Sequence, residues 1–331
     1  MSTPKLQKED ILDVTLRPRT WSDYVGQKKL KENVLIILKA AQQRKEPPEH
    51  LLFHGNPGLG KTTIAHLIAQ ETKNDIRIVS GPSIEKAGDL AAILTNLEQG
   101  SVLFIDEIHR LSRQIEEYLY PAMEDFKLNL ILGKGPMART MELKLPKFTL
   151  IGATTRLASV SGPLRSRFGA HFSLNFYTNE DIENILKRSS QILKIEIEEK
   201  ALPILAKCSR FTPRKANHLL KRVRDFAQVK GNGIITKEIA QKAFENLEID
   251  EIGLTKEDVR ILKVIAEQFE GGPVGLQALA ASTAEEAETI LDIYEPYLMR
   301  LGFIARTPRG RIITKLALSH LNVKKDPHNL F

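Results

Sequence analysis

The stretch His50-Leu51-Leu52-Phe53-His54-Gly55-Asn56-Pro57-Gly58-Leu59-Gly60-Lys61-Thr62-Thr63-Ile64-Ala65-His66-Leu67-Ile68-Ala69 carries three patterns in a row. A short apolar run ends at His54, a glycine loop follows, and from Thr62 the apolar residues recur at helical spacing. Strand, loop and helix in that order let successive backbone N–H groups point at phosphate oxygens, with the positive end of the helix behind them. Gly58 and Gly60 allow that backbone path, and Gly55 counts with them among the nucleotide-binding positions. Lys61 is expected to reach the β and γ phosphates and the Thr62 hydroxyl to take a place on Mg²⁺, with Thr63 among the nucleotide-binding positions. The stretch therefore predicts a site for ATP and Mg²⁺. Asn56 stands where proline is frequent, in the variable part of the loop.

Working outward, Ile76 to Val79, Val102 to Ile105, Phe148 to Ile151 and Phe172 to Phe176 are further short apolar or alternating runs, separated by helical patterns. That alternation predicts an α/β layer with a mostly parallel sheet. Leu128 to Leu145 interrupts it: alternating apolar residues flank Gly133-Lys134-Gly135-Pro136, the pattern of an inserted β-hairpin with a projecting tip. From Thr178 to about Asp250 the periodicity is helical, with starts at Asn179-Glu180-Asp181 and Thr236-Lys237-Glu238. Helices over Asp258 to Phe269 and Ala284 to Leu301, then two short β runs around Pro308-Arg309-Gly310, read as a winged helix. Three domains are expected: residues 1–177 with the hairpin at 128–145, residues 178–252, and residues 253–331.

A phosphate-cleaving site needs a carboxylate at a strand end to anchor the metal and another to activate water. Val102-Leu103-Phe104-Ile105-Asp106-Glu107 supplies both: Asp106 for the metal, Glu107 as general base. A third apolar strand ends in Gly152-Ala153-Thr154-Thr155, placing a hydroxyl at Thr155 to sense phosphate or water. Charge developing on the transferred group calls for arginine. Arg165 and Arg167, in Leu164-Arg165-Ser166-Arg167-Phe168, would face different directions on a helix, so one of them can leave its own subunit. Arg214, in Thr212-Pro213-Arg214, opens a basic helix.

The chain has 331 residues, 42% of them hydrophobic and 27% charged, within the range of globular proteins and long enough for several cores. No apolar run is long enough for a membrane span, and Met1 to Asp10 lacks a signal-peptide pattern, so a cytoplasmic protein with no membrane contact is expected. The single cysteine, Cys208, excludes an internal disulfide and a thiolate zinc cluster. The net charge of +7 suggests a polyanionic partner through its distribution. Arg300 to Lys325 has seven basic residues and no acid, Glu267 to Glu295 has only acids, and Lys207 to Lys230 has eight basic residues against Asp225. Arg306, Arg309 and Arg311 suit phosphate contacts, and Arg309 and Arg311, two apart in an extended strand, would share a face. Few aromatics lie nearby, which favours duplex over single-stranded DNA.

The ordered set of P-loop, Asp-Glu strand, Thr strand, Arg-Phe and Pro-Arg resembles the AAA+ ATPases. Leu16-Arg17-Pro18, Tyr24-Val25-Gly26-Gln27, Ile108-His109-Arg110-Leu111 after the Asp-Glu pair, Tyr120-Pro121-Ala122-Met123-Glu124-Asp125, Gly271-Gly272-Pro273-Val274-Gly275-Leu276, Tyr294-Glu295-Pro296-Tyr297-Leu298 and Arg306-Thr307-Pro308-Arg309-Gly310-Arg311 extend the resemblance to the RuvB family. It spans about Leu16 to Leu321. The resemblance implies an AAA+ domain, a helical lid and a winged helix, assembled as a homo-hexamer around duplex DNA at Holliday junctions. It also implies recruitment by RuvA through residues 128–145 and cooperation with RuvC. Under the resemblance Arg167 is the finger given to a neighbour's ATP, Arg214 the second sensor and Thr155 the first. Leu16, Arg17 and Tyr177 line the nucleotide pocket, and Glu124, Asp125, Phe126 and Arg165 join the nucleotide contacts. Phe211 stands where the family often has glycine. Two rivals remain: a clamp-loader-like ATPase, which would end in a helical collar, and a DNA-binding regulator with ATP as a switch.

Overall fold

The computed structural model describes residues 11–132 and 139–322. The chain divides into two compact units between Tyr177 and Thr178. The first opens with α1 (Ile11–Leu16) and α2 (Lys28–Arg44), whose stripe of Leu30, Val34, Leu38 and Ala41 is buried. Then come β1 (Leu51–His54), α3 (Lys61–Thr72), β2 (Ile76–Ser80), α4 (Ala87–Thr95), β3 (Val102–Asp106) and α5 (Arg113–Glu124). They are followed by β4 (Lys127–Leu132), β5 (Arg139–Lys144), β6 (Thr149–Thr154), α6 (Gly162–Arg165) and β7 (Ala170–Ser173).

Five of these strands form one sheet in the order β2-β3-β6-β1-β7, every pair parallel. Parallel strands are covered on both faces, so they read as unbroken apolar runs. All six residues of β6 and the first four of β3 are buried accordingly. Because the strands run the same way, the segments after β1, β3 and β6 emerge side by side at one edge, where ligands bind in open α/β sheets. The register aligns His54 with Thr154 and Ile105 with Gly152. β7 begins two residues before the expected Phe172 and stops at Ser173, because its partner β1 ends at His54, where Gly55 turns the chain away with φ +148°.

The inserted hairpin is present: β4 and β5 pair antiparallel from Lys127↔Lys144 to Leu132↔Arg139. The expected tip, Gly133 to Pro136, lies outside the described residues. At its root Leu145 N–H donates to Phe126 O at 2.7 Å, and fully buried Leu128 joins the core with Phe148 and Leu119. His50 braces the same place, its Nδ1 accepting from Leu150 N–H and its Nε2 lying 2.9 Å from Met123 O.

The second unit starts with the helices α7 (Asn179–Ile192), α8 (Leu202–Cys208), α9 (Pro213–Lys230) and α10 (Lys237–Asn246). Thr178 caps α7 in a capping box with Asp181, and Thr236 caps α10, as the Thr and Asp spacing dictates. α11 (Lys256–Lys263) runs on through a π turn at Val264–Gln268 and α12 (Leu276–Thr283) follows. α13 (Ala287–Thr289) passes through a second π turn into α14 (Glu295–Arg300). This helix starts later than the expected Ala284, whose φ of +52° ends α12. β8 (Ile304–Thr307) and β9 (Gly310–Ile313) form the antiparallel wing, and α15 (Lys315–His320) closes the domain over a core of Ile261, Ile265, Leu279, Leu298 and Phe303.

Candidate functional site

The P-loop leaves the sheet at Gly55, whose N–H donates to Thr154 O at 3.1 Å and so ties the loop to the end of β6. Gly60, at φ +101°, caps α3; a Cβ there would lie 3.3 Å from the Tyr24 hydroxyl. Lys61 is the first residue of α3 and is buried, its Nζ donating to Gly55 O at 2.7 Å and Asn56 O at 3.0 Å. Burial lowers its pKa to about 8, against the pull of Asp106 and Glu107 in the opposite direction. The ammonium is therefore held at the loop mouth by weak acceptors, ready to exchange them for phosphate oxygens.

Asp106 ends β3 next in the sheet to β6, and its carboxylate accepts from Glu107 N–H at 2.9 Å. Burial raises its pKa, while Lys61 and that hydrogen bond lower it. Glu107 has φ +49°, a left-handed conformation that a non-glycine residue adopts at a cost of about 1–3 kcal/mol and that clusters at functional sites. Its carboxylate is half-exposed and 3.4 Å from Arg110. Among the described residues no group of three or more His, Cys, Asp or Glu could hold a metal. The Thr62 hydroxyl with the Asp106 carboxylate nevertheless fits Mg²⁺, which takes few protein oxygens and fills its octahedron with phosphate and water. At the end of β6 the buried Thr154 hydroxyl lies 3.0 Å from His109 Nδ1 and accepts from Arg156 N–H at 2.9 Å; Thr155 is the next residue, just past the strand. The pairing of His109 with Thr154 escapes sequence reading because the two are 45 residues apart and adjacent only through the sheet.

The remaining pocket candidates flank the loop. Leu16 is buried, and Arg17 Nη1 lies 2.6 Å from His66 Nε2 on α3. The buried hydroxyl of Tyr177 donates to Leu59 O at 3.1 Å and lies 3.2 Å from that of Tyr24.

Arg165, Arg167 and Glu124 to Phe126 are not brought to the chain's own P-loop. Gly169 N–H donates to His50 O, and Phe126 packs on the His50 ring at 6.3 Å, both at the start of β1. The loop leaves the far end, beyond four residues of strand, about 13 Å. α6 is a single turn ending at Arg165, so Arg167 lies outside it and the expected helical separation of the two arginines does not apply. Arg167 folds onto its own chain: Nε is 3.2 Å from Glu124, Nη1 donates to Pro163 O at 2.7 Å, and the guanidinium stands 4.2 Å from the Tyr120 ring centre. Arg214 is the second residue of α9, in the second unit.

On the wing the expectation that Arg309 and Arg311 share a face fails, because Arg309 sits in the turn between β8 and β9. Arg306 and Arg311 are paired instead in the antiparallel register, and both grip Glu295: Arg306 Nε at 2.7 Å and Arg311 Nη2 at 2.9 Å. The Glu295 side chain is 1% exposed and that of Arg311 11%, whereas Arg309 is exposed at the tip. Sequence reading missed Glu295 because no local spacing links it to arginines 11 and 16 residues on.

Comparison with known proteins agrees with this geometry. Residues 16–174 match a family model described as the Holliday junction DNA helicase RuvB P-loop domain, 177–250 the RuvB AAA lid domain, and 251–322 the RuvB C-terminal winged helix domain. The chain is 57% identical over 320 residues to the Holliday junction branch migration complex subunit RuvB of Dehalococcoides mccartyi (strain CBDB1), covering 96% of this chain and 92% of that protein. The solved structure of the Thermotoga maritima RuvB Holliday junction branch migration motor superposes with a TM-score of 0.86 at 48% identity, covering 94% of this chain and 99% of that one. A point mutant of the same Thermotoga maritima protein gives 0.85 at 48%, covering 93% and 98%. Three consecutive domain models of one family and a relative of more than half identity along nearly its full length leave one assignment: the chain belongs to the RuvB family.

Proposed function

We propose that this protein is an ATP-driven motor that moves duplex DNA to drive branch migration of Holliday junctions. The working form is a homo-hexameric ring, recruited by RuvA through the hairpin at 128–145 and cooperating with RuvC in the cytoplasm. Residues 1–177 are the AAA+ domain, 178–252 the lid and 253–331 the DNA-binding winged helix. No described helix is long and apolar enough to cross a membrane.

In this reading Lys61 holds the β and γ phosphates, Thr62 and Asp106 hold Mg²⁺, which supplies charge neutralisation at the phosphates, and Glu107 takes the proton of the attacking water. Thr155 orients that water, and Arg214 carries the nucleotide state into the lid. Leu16, Arg17, Thr63 and Tyr177 shape the pocket. Arg167 completes the site of the neighbouring subunit, with Glu124 to Phe126 and Arg165 on the same face, and Arg306, Arg309 and Arg311 form the wing that meets DNA phosphates.

The observation that carries the reading is the separation within one subunit. Lys61, Asp106 and Glu107 gather at the carboxyl edge of the sheet, whereas Arg167 lies beside the start of β1, and a phosphoryl-transfer site without an arginine is slower by about 10³–10⁵. The test mixes Lys61→Ala and Arg167→Ala subunits on a four-way junction with RuvA. Each alone is inactive; mixed rings contain interfaces with both residues intact and recover ATP hydrolysis and junction movement. Mixed rings that assemble and recover neither activity overturn the reading.

A further inference from the structure

Between α8 and α9 the chain makes a turn whose cost is unusual: Arg210 and Phe211 are consecutive non-glycine residues in the left-handed region, with φ +52° and +56°. Each such residue costs about 1–3 kcal/mol and persists only where its surroundings over-determine it. Here the surroundings belong to the winged helix. The Arg210 guanidinium, 12% exposed, forms an ion pair with the fully buried carboxylate of Asp258 and lies 4.9 Å from the centre of the Tyr297 ring. The same Asp258 oxygen accepts from Thr255 N–H at 2.8 Å and from its hydroxyl at 3.0 Å, capping α11. Phe211 packs on Tyr297 with ring centres 6.1 Å apart, and the Arg300 guanidinium of α14 lies over the Phe211 ring, 5.4 Å from its centre. The Tyr297 hydroxyl in turn donates to Ile252 O in the connection between lid and winged helix.

This cluster is adjacent to Arg214: Thr212 stands at the N-cap position of α9, Pro213 is its first residue and Arg214 its second. A change of position at Arg214 therefore reaches Arg210 within one turn of chain, and through it α11 and α14 at once. Removing a buried charge's partner is strongly unfavourable, so the contact resists being opened as the lid moves. We propose that Arg210 is a positioning residue that couples the lid to the winged helix, so that the nucleotide state read at Arg214 displaces the DNA-binding wing instead of being absorbed by a hinge near residue 252. The inference rests on the motor reading above and names the part that transmits its force.

The test uses full-length rings with RuvA and a synthetic four-way junction, measuring ATP hydrolysed and base pairs migrated in the same sample. Arg210→Met keeps the apolar stem and removes the charge; Asp258→Asn keeps the α11 cap and removes the opposite charge; Arg210→Lys restores the charge. Both neutral variants are expected to hydrolyse ATP at near the parent rate while migration per ATP falls about tenfold, the scale of a coupling energy between sites, with Arg210→Lys in between. A merely structural defect lowers the active fraction and reduces both activities in proportion, so an unchanged ratio in folded rings overturns the inference. If the parent chain itself moves no junction, the motor reading falls, and this inference with it.

Discussion

Lys61 is buried and held by two carbonyls, and this gives it a titration where the protein can be assayed. Its folded pKa of about 8 lies below the ordinary lysine value of 10.5, so the group loses its proton as pH rises through 8. Phosphates bind the charged form. Nucleotide affinity should therefore be flat below pH 8 and fall by up to about tenfold per unit above it, each unit corresponding to about 1.4 kcal/mol of proton uptake. Calorimetric titration of ADP from pH 7 to 10 reads this directly; Lys61→Arg, charged throughout, should lose the slope, and a flat parent profile to pH 10 would contradict the assignment. The linkage has the opposite sign for folding: the buried charge is a cost at neutral pH, relieved between about 8 and 10.5. The wing arginines separate by the same kind of reasoning. Glu295→Ala leaves two guanidinium groups without their buried acceptor and should destabilise the winged helix by about 3–5 kcal/mol, read by denaturant unfolding. Arg309→Ala, exposed at the tip, should change stability by less than about 0.5 kcal/mol. It should weaken DNA binding at every sequence and reduce the salt slope by about one. Loss of stability in Arg309→Ala, or its absence in Glu295→Ala, would reverse the roles.

The hairpin shows how an element can be large in sequence and small in the fold's energetics. It is inserted between β3 and β6, neighbours in the sheet, and its root is closed by Leu145 N–H to Phe126 O while Leu128 and Leu143 face each other against the core. Asn129 and Glu142 are directly opposed, so residues 130–141 can be replaced by Asn-Gly, a two-residue turn suited to antiparallel strands. The shortened chain should keep its basal ATPase within about twofold and its melting point within a few degrees, and lose RuvA-dependent recruitment measured on junction DNA. Collapse of basal ATPase would mean that the hairpin belongs to the catalytic core. The sequence made this element legible because alternation and a glycine turn are local signals. The same holds for the P-loop and for β3 with Glu107 directly after it, whose residues are contiguous. What stayed illegible depends on contacts between distant residues: His109 with Thr154, Glu295 with Arg306 and Arg311, Arg210 with Asp258. No periodicity records such pairs, and the turn position of Arg309 follows from a strand register in which a one-residue shift inverts every face.

At the scale of the molecule, the order of elements was readable because each domain announces itself by period: unbroken apolar runs for a parallel sheet, helical spacing from Thr178, and short β runs after the last helices. The arrangement of functional groups was readable only in part. Sequence places Lys61 in the loop and helix after β1 and Asp106 and Glu107 at the end of β3, but that Arg167 lies at the opposite edge of the sheet is a consequence of topology. Arg167 is also occupied, by Glu124, Pro163 and the Tyr120 ring of its own chain. A solitary copy thus keeps its arginine sheathed, and under the function proposed above a neighbouring copy must draw it out before it can complete a second site. On that reading, unassembled protein should consume little ATP, and hydrolysis per subunit should rise steeply with protein concentration instead of staying constant.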